Sequence, residues 1–167
     1  EITANCQNGA NTGGGAIYIG YSPVNTVAAD RIKYYDIDVS ISNNCSFVRN
    51  SASVTGSRNS GGGAIYVFTH SDVNISNCSF EDNSVKVTSS SYYTTDTGGG
   101  AIFVGKPNDE NEELISTLSI EDTSFTNNGA TGGLASGGAV YVKDVSSNIL
   151  NNVTFEGNSI EGKYGTA

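Results

Sequence analysis

Gly61-Gly62-Gly63-Ala64-Ile65-Tyr66-Val67 is followed, thirteen residues on, by Phe80-Glu81-Asp82-Asn83, and this pair of phrases decides the architecture. The glycine phrase recurs over residues 13–19, 98–104 and 137–142. Phe-x-x-Asn recurs at Phe47 to Asn50, Phe125 to Asn128 and Phe155 to Asn158. From Ala16 to Phe155 the two phrases alternate at steps averaging about 20 residues. A fixed period with loops of variable length is the signature of a stacked repeat.

A short alternating run precedes each Phe and breaks at an Asn or Asp, as in Val73-Asn74-Ile75-Ser76-Asn77-Cys78-Ser79-Phe80. Asn and Asp tolerate the left-handed backbone region better than other non-Gly residues, so Asn44, Asn77, Asp122 and Asn152 are expected to turn sharp corners between strands. Ile2-Thr3-Ala4-Asn5-Cys6 reads as a degenerate first copy, with Asn5 at the corner. No apolar stripe recurs at helical spacing. Short strands, Asn corners and Gly-rich turns predict an all-β chain: a right-handed parallel β-helix (β-solenoid) of about eight coils, without helices of note. With the phrases on alternate coils at ~4.8 Å per rung, the rod is roughly 40 Å long. Phe47, Phe80, Phe125 and Phe155, with Cys6, Cys45 and Cys78, are expected to form a core ladder. Residues 1–167 make a single domain, either a segment of a longer solenoid or a subunit that stacks end to end.

These alternating Gly-Gly-Ala-Ile and Phe-x-x-Asn phrases resemble the repeats of the chlamydial polymorphic outer membrane proteins. The resemblance runs from Asn5 to Asn158. It implies an autotransporter passenger-like β-helix that acts as a surface adhesin.

Composition narrows the function. Ser, Thr and Asn supply 56 of 167 residues, Gly another 21, and only 15% of the chain is charged. Net charge is −9 with basic residues scattered singly, which disfavours nucleic acid as a partner. No run approaches the ~18 apolar residues of a transmembrane helix. The expected location is extracellular or at a cell surface, and the expected partners are a host-cell or glycan surface, or copies of the chain itself end to end.

The candidate site residues follow from the repeat. Tyr18, Tyr66, Phe103 and Tyr141 alternate with the apolar residues of each glycine phrase, so they are expected to face outward as a contact stripe. Asn-x-Ser/Thr sequons at Asn44, Asn74, Asn77 and Asn152 are glycosylation candidates if the source is eukaryotic, Asn74 first among them. On alternate coils the cysteines stand ~9.6 Å apart, beyond the ~7 Å reach of a disulfide, and read as stacked thiols. His70 reads as an exposed loop residue. No metal, cofactor or catalytic residue is expected. Glu81, Asp82, Glu121 and Asp122 are explained by turn chemistry, and Asp109 to Glu113 by a solvated loop tip. A polysaccharide lyase or hydrolase remains a second alternative, behind the adhesive rod and the filament subunit. Only Arg31, Lys33, Asp36 and Asp38 form a mixed-charge group suited to it. Function is expected on the outward faces and in loops 20–38, 84–97 and 105–116.

Overall fold

The computed structural model describes residues 3–7, 12–20, 37–55, 60–88, 97–105, 116–132 and 135–162. All regular structure among them is strand. The first turn comprises β1 (Thr3–Gln7), β2 (Thr12–Gly13), β3 (Ile17–Gly20), β4 (Ile37–Ile41) and β5 (Cys45–Val48). The second comprises β6 (Ser51–Thr55), β7 (Ser60–Gly61), β8 (Ile65–Phe68), β9 (Ser71–Ser76) and β10 (Cys78–Glu81). The third runs through β11 (Ser84–Thr88), β12 (Thr97–Gly98), β13 (Ile102–Gly105), β14 (Thr117–Glu121) and β15 (Ser124–Thr126). The fourth holds β16 (Gly129–Gly132), β17 (Ala135–Ser136), β18 (Val140–Lys143), β19 (Ser147–Asn151) and β20 (Thr154–Glu156), and β21 (Ser159–Glu161) begins a fifth.

Every fifth strand joins the same sheet, giving one sheet in the order β1-β6-β11-β16-β21 and four sheets of four strands. All pairings are parallel, for example Ile102 with Ile65 and with Val140, and Phe80 with Phe47 and with Phe125. The chain is thus a parallel β-helix, as the repeat predicts. Each turn carries both phrases, however, so the described residues make four full turns rather than about eight coils. Four rungs span about 20 Å, not 40. The ~20-residue step is half a turn: the two phrases look alike in spacing but serve opposite sides of one coil.

The amino-terminal phrase also lies elsewhere than its Asn-Cys pair predicts. Asn5 pairs with Ser53 and Cys6 with Val54, in the sheet that follows Phe-x-x-Asn. Asn5 and Cys6 therefore stand in neither the corner column nor the cysteine column. The pairing runs without a break from Thr3 with Ser51 to Gln7 with Thr55, which leaves no corner in this stretch.

The corners are made by side-chain type. Asn44, Asn77, Asp122 and Asn152 hold φ of 58°, 51°, 45° and 51° between the fourth and fifth strands of successive turns. In each glycine phrase the glycine two residues before the Ala also has positive φ, as at Gly62 with 64° and Gly137 with 60°. Inside the coil, the main core packs Ile65, Val67, Ile102 and Val104 from one sheet against Val73, Ile75, Leu118 and Ile120 from another. The Phe47, Phe80 and Phe125 rings stack down this core, with centroids 4.8 Å and 4.9 Å apart, and Phe155 continues the stack at 5.0 Å from Phe125 but is exposed rather than in the core. A second cluster gathers Ala52, Val54, Val85, Val87, Ala130 and Ala135.

Candidate functional site

The pleat puts Tyr18, Tyr66, Phe103 and Tyr141 on the opposite side of their sheet from the Ile/Val core, as alternation requires. The expected exposed stripe is nevertheless overturned. Tyr66 and Phe103 are 0% exposed, Tyr141 is partly buried, and only Tyr18, at 48%, is open. The rings stack on one another, at 5.2 Å for Tyr18–Tyr66, 4.9 Å for Tyr66–Phe103 and 5.3 Å for Phe103–Tyr141. Phe68 packs beside them, 6.1 Å from Tyr66 and 6.2 Å from Phe103. The rings also fold over glycines of the preceding turn: a Cβ on Gly13 would lie 2.8 Å from the Tyr66 ring, and one on Gly61 2.7 Å from the Phe103 ring. Aromatic residues therefore build a second apolar column outside the coil. Burial, and then the neighbouring Tyr18 phenol, hold the Tyr66 hydroxyl well above its ordinary pKa.

The residue that organises the other side of the coil is the last of Phe-x-x-Asn, whose role the sequence reading left unassigned. Asn50, Asn83, Asn128 and Asn158 form a ladder of amides. Asn50 Nδ2 donates to Asn83 Oδ1 (3.0 Å), Asn83 Nδ2 to Asn128 Oδ1 (2.9 Å), and Asn128 Nδ2 to Asn158 Oδ1 (2.9 Å). Each of these Oδ1 atoms also accepts the backbone N–H of the Asn one turn below. Each second Nδ2 proton goes to a Phe carbonyl one turn below: Asn83 to Phe47, Asn128 to Phe80, Asn158 to Phe125. Asn83 and Asn128 are fully buried and use both donors and both acceptor sites of the amide. The signal was present as a fixed offset of three from Phe, but a recurring polar residue at an inward position reads as a turn residue until its partners are seen.

The corner residues are exposed, and Asn152 Nδ2 donates to Asp122 Oδ1 at 2.7 Å. Asn74 is exposed on β9, beside Ser40 and Ser119 of the adjacent turns. Cys45 and Cys78 are free thiols in direct register, not two rungs apart. Cys45 Sγ donates to Ser42 O at 2.9 Å, and Cys78 Sγ to Ser76 O at 3.1 Å. Thr123 continues their column, its Oγ1 accepting from the Cys78 N–H at 3.3 Å. His70 is fully buried rather than in an exposed loop.

Among the described residues no three of His, Cys, Asp and Glu converge to hold a metal ion. Of the mixed-charge group, Asp38 is exposed on β4, while Arg31, Lys33 and Asp36 lie outside the described residues, as do most of the three long loops. The fourth turn leaves an apolar cavity of about 550 Å³ lined by Leu118, Val140, Val142, Leu150, Phe155 and Ile160. On that turn Ile149, Leu150 and Phe155 are 54%, 58% and 47% exposed. The outward faces of the remaining sheets carry small polar groups, such as Ser46 and Ser79 (Oγ to Oγ 3.1 Å) and Asp72 and Thr117 (2.6 Å).

Residues 77–105 and 122–143 match the family model described as Chlamydia polymorphic membrane protein (Chlamydia_PMP) repeat, so the chain carries that repeat in these stretches, as the two phrases implied. Each match starts at a corner, Asn77 or Asp122, and ends with the strand after a glycine phrase, β13 or β18. The repeat is thus one pass from corner to aromatic column. No curated protein and no solved structure matches the chain.

Proposed function

We propose that the chain is an extracellular or cell-surface adhesive rod without catalytic activity. The observation that carries this reading is the match of two register-stacked stretches to a surface-protein repeat. The outward faces support it, because they present rows of small hydroxyl, amide and carboxylate groups suited to hydrogen-bonding glycan or protein surfaces. With Tyr66 and Phe103 buried, the sheet of β4, β9, β14 and β19 is the better contact face, through Ser40, Asn74 and Ser119. The filament subunit is the alternative, in which strands of one copy pair in register with those of the next. Of the exposed sequon residues, Asn74 lies on this face, while Asn44, Asn77 and Asn152 stand at the corners beside it.

Binding of the purified chain to cultured cells and to a glycan array tests the reading. Wild type is expected to bind, and a Ser40→Arg/Asn74→Arg/Ser119→Arg variant to lose most of that binding while keeping its β-sheet circular dichroism. Absence of binding to every cell type and glycan, or turnover of a polysaccharide, would overturn it.

A further inference from the structure

We propose that Cys45 and Cys78 are an oxidisable pair that forms a disulfide clasp between the first and second turns. The two are register partners on β5 and β10, so their Cα atoms stand one rung, ~4.8 Å, apart, inside the ~4.4–6.8 Å range of disulfides. The thiols share one neighbourhood. Cys78 Sγ reaches across the rung to Ile41 O of the first turn (3.6 Å), next to Ser42 O, which accepts from Cys45 Sγ (2.9 Å). Side chains of register partners in parallel strands point the same way, which keeps their Cβ atoms near the rung spacing. A bridge needs ~3.5–4.5 Å, so the backbone must close by a few tenths of an ångström. That closure falls beside Asn44 and Asn77, the positive-φ corners that immediately precede the two cysteines.

The pair is accessible from one side. A polar groove of about 280 Å³ opens on it, lined by Asn44, Cys45, Asn77, Cys78, Ser79 and Asp122. Cys45 is partly exposed and Cys78 is buried, which assigns the order of events. The Cys45 thiolate attacks a low-molecular-weight disulfide from the groove, forming a mixed disulfide and releasing one thiol. The Cys78 thiolate then attacks Cys45 Sγ and expels the second thiol. In sum two protein thiols are oxidised, one external disulfide is reduced to two thiols, and two protons pass from cysteine to the leaving sulfurs. Burial, and then the adjacent Cys45, raise the Cys78 pKa, so the closing step speeds up as pH rises and its thiolate becomes populated. Cys6 stands in another sheet, paired with Val54, and takes no part.

The test is incubation of the full native chain with oxidised glutathione, followed by alkylation of free thiols and non-reducing peptide mapping. The expected product is a monomer whose Cys45 and Cys78 peptides are linked and lighter by two hydrogens, with Cys6 alkylated. Formation should be at least tenfold faster at pH 9 than at pH 7, and Cys78→Ser should stop at the Cys45–glutathione adduct. A bridge that includes Cys6, an intermolecular dimer, or wild-type chain that stops at glutathione adducts would overturn the proposal.

Discussion

Replacing Asn83 by alanine removes four hydrogen bonds made by one fully buried amide. Its Oδ1 accepts the backbone N–H and Nδ2 of Asn50, each at 3.0 Å, and its Nδ2 donates to Asn128 Oδ1 and Phe47 O, each at 2.9 Å. Asn128 Oδ1 keeps the Asn83 backbone N–H, so its loss is partial. The Asn50 donors and the Phe47 carbonyl lose their Asn83 partner where water has little access. At about 1–3 kcal/mol for each of these three buried groups that loses a hydrogen bond, Asn83→Ala is expected to destabilise the coil by at least about 3 kcal/mol. Asn158, at the half-buried top of the ladder, has the same role with water nearby, and Asn158→Ala should cost about 1–2 kcal/mol. Asn74→Ala, on an exposed face, should stay within about 0.5 kcal/mol. Asn83→Asp adds a sign. The carboxylate keeps the acceptors but faces Asn128 Oδ1 and the Phe47 carbonyl in a buried site, which raises its folded pKa above its unfolded value. Relative to wild type this variant is therefore least destabilised at acid pH, below the unfolded pKa, and loses stability as pH rises through the folded value. Urea unfolding followed by far-UV circular dichroism measures these differences, since the chain has no Trp. Equal stability of Asn83→Ala and Asn74→Ala would refute the ladder as a stabilising element, and so would an Asn83→Asp penalty that did not grow with pH.

The glycine phrase makes a paired prediction: Gly61→Ala should cost more than about 3 kcal/mol or prevent folding, while Gly129→Ala should be neutral or slightly stabilising. A Cβ at Gly61 would collide with the Gly98 carbonyl and the Phe103 ring, whereas at Gly129 it would meet only Ser159 Oγ at 3.6 Å. Thermal melts of the two variants decide it, and equal midpoints would count against the close-stacking account. The aromatic column predicts that Tyr66→Ala destabilises by about 3–5 kcal/mol and that Tyr18→Ala, 48% exposed at the end of the stack, costs less than about 1 kcal/mol. The reverse order in denaturant titrations would restore the exposed stripe that burial excludes.

Residue type and offset alone placed a great deal of this molecule. The strand alternation, the positive-φ corners at Asn44, Asn77, Asp122 and Asn152, and the inward Phe stack all rest on local chemistry: which residues tolerate left-handed backbone, and which alternate at period two. The repeat was legible for the same reason, because identical local demands recur each time the chain passes the same corner.

What the sequence could not decide depends on which copy lies above which. Register made the two phrases halves of one turn, and that single change brought Cys45 and Cys78 from two rungs apart to one. It moved Asn5 and Cys6 into a different sheet. Burial likewise belongs to the assembled coil. Tyr66 and Phe103 point away from the Ile/Val core as the pleat demands, yet they lie fully buried in a column over glycines of the preceding turn. The ladder of Asn50, Asn83, Asn128 and Asn158 is the clearest case, since each amide finds its partners 30 to 48 residues away. A side chain carries its own donors, acceptors and torsional preferences in its covalent structure. Its neighbours across the stack exist only once the turns have closed on one another.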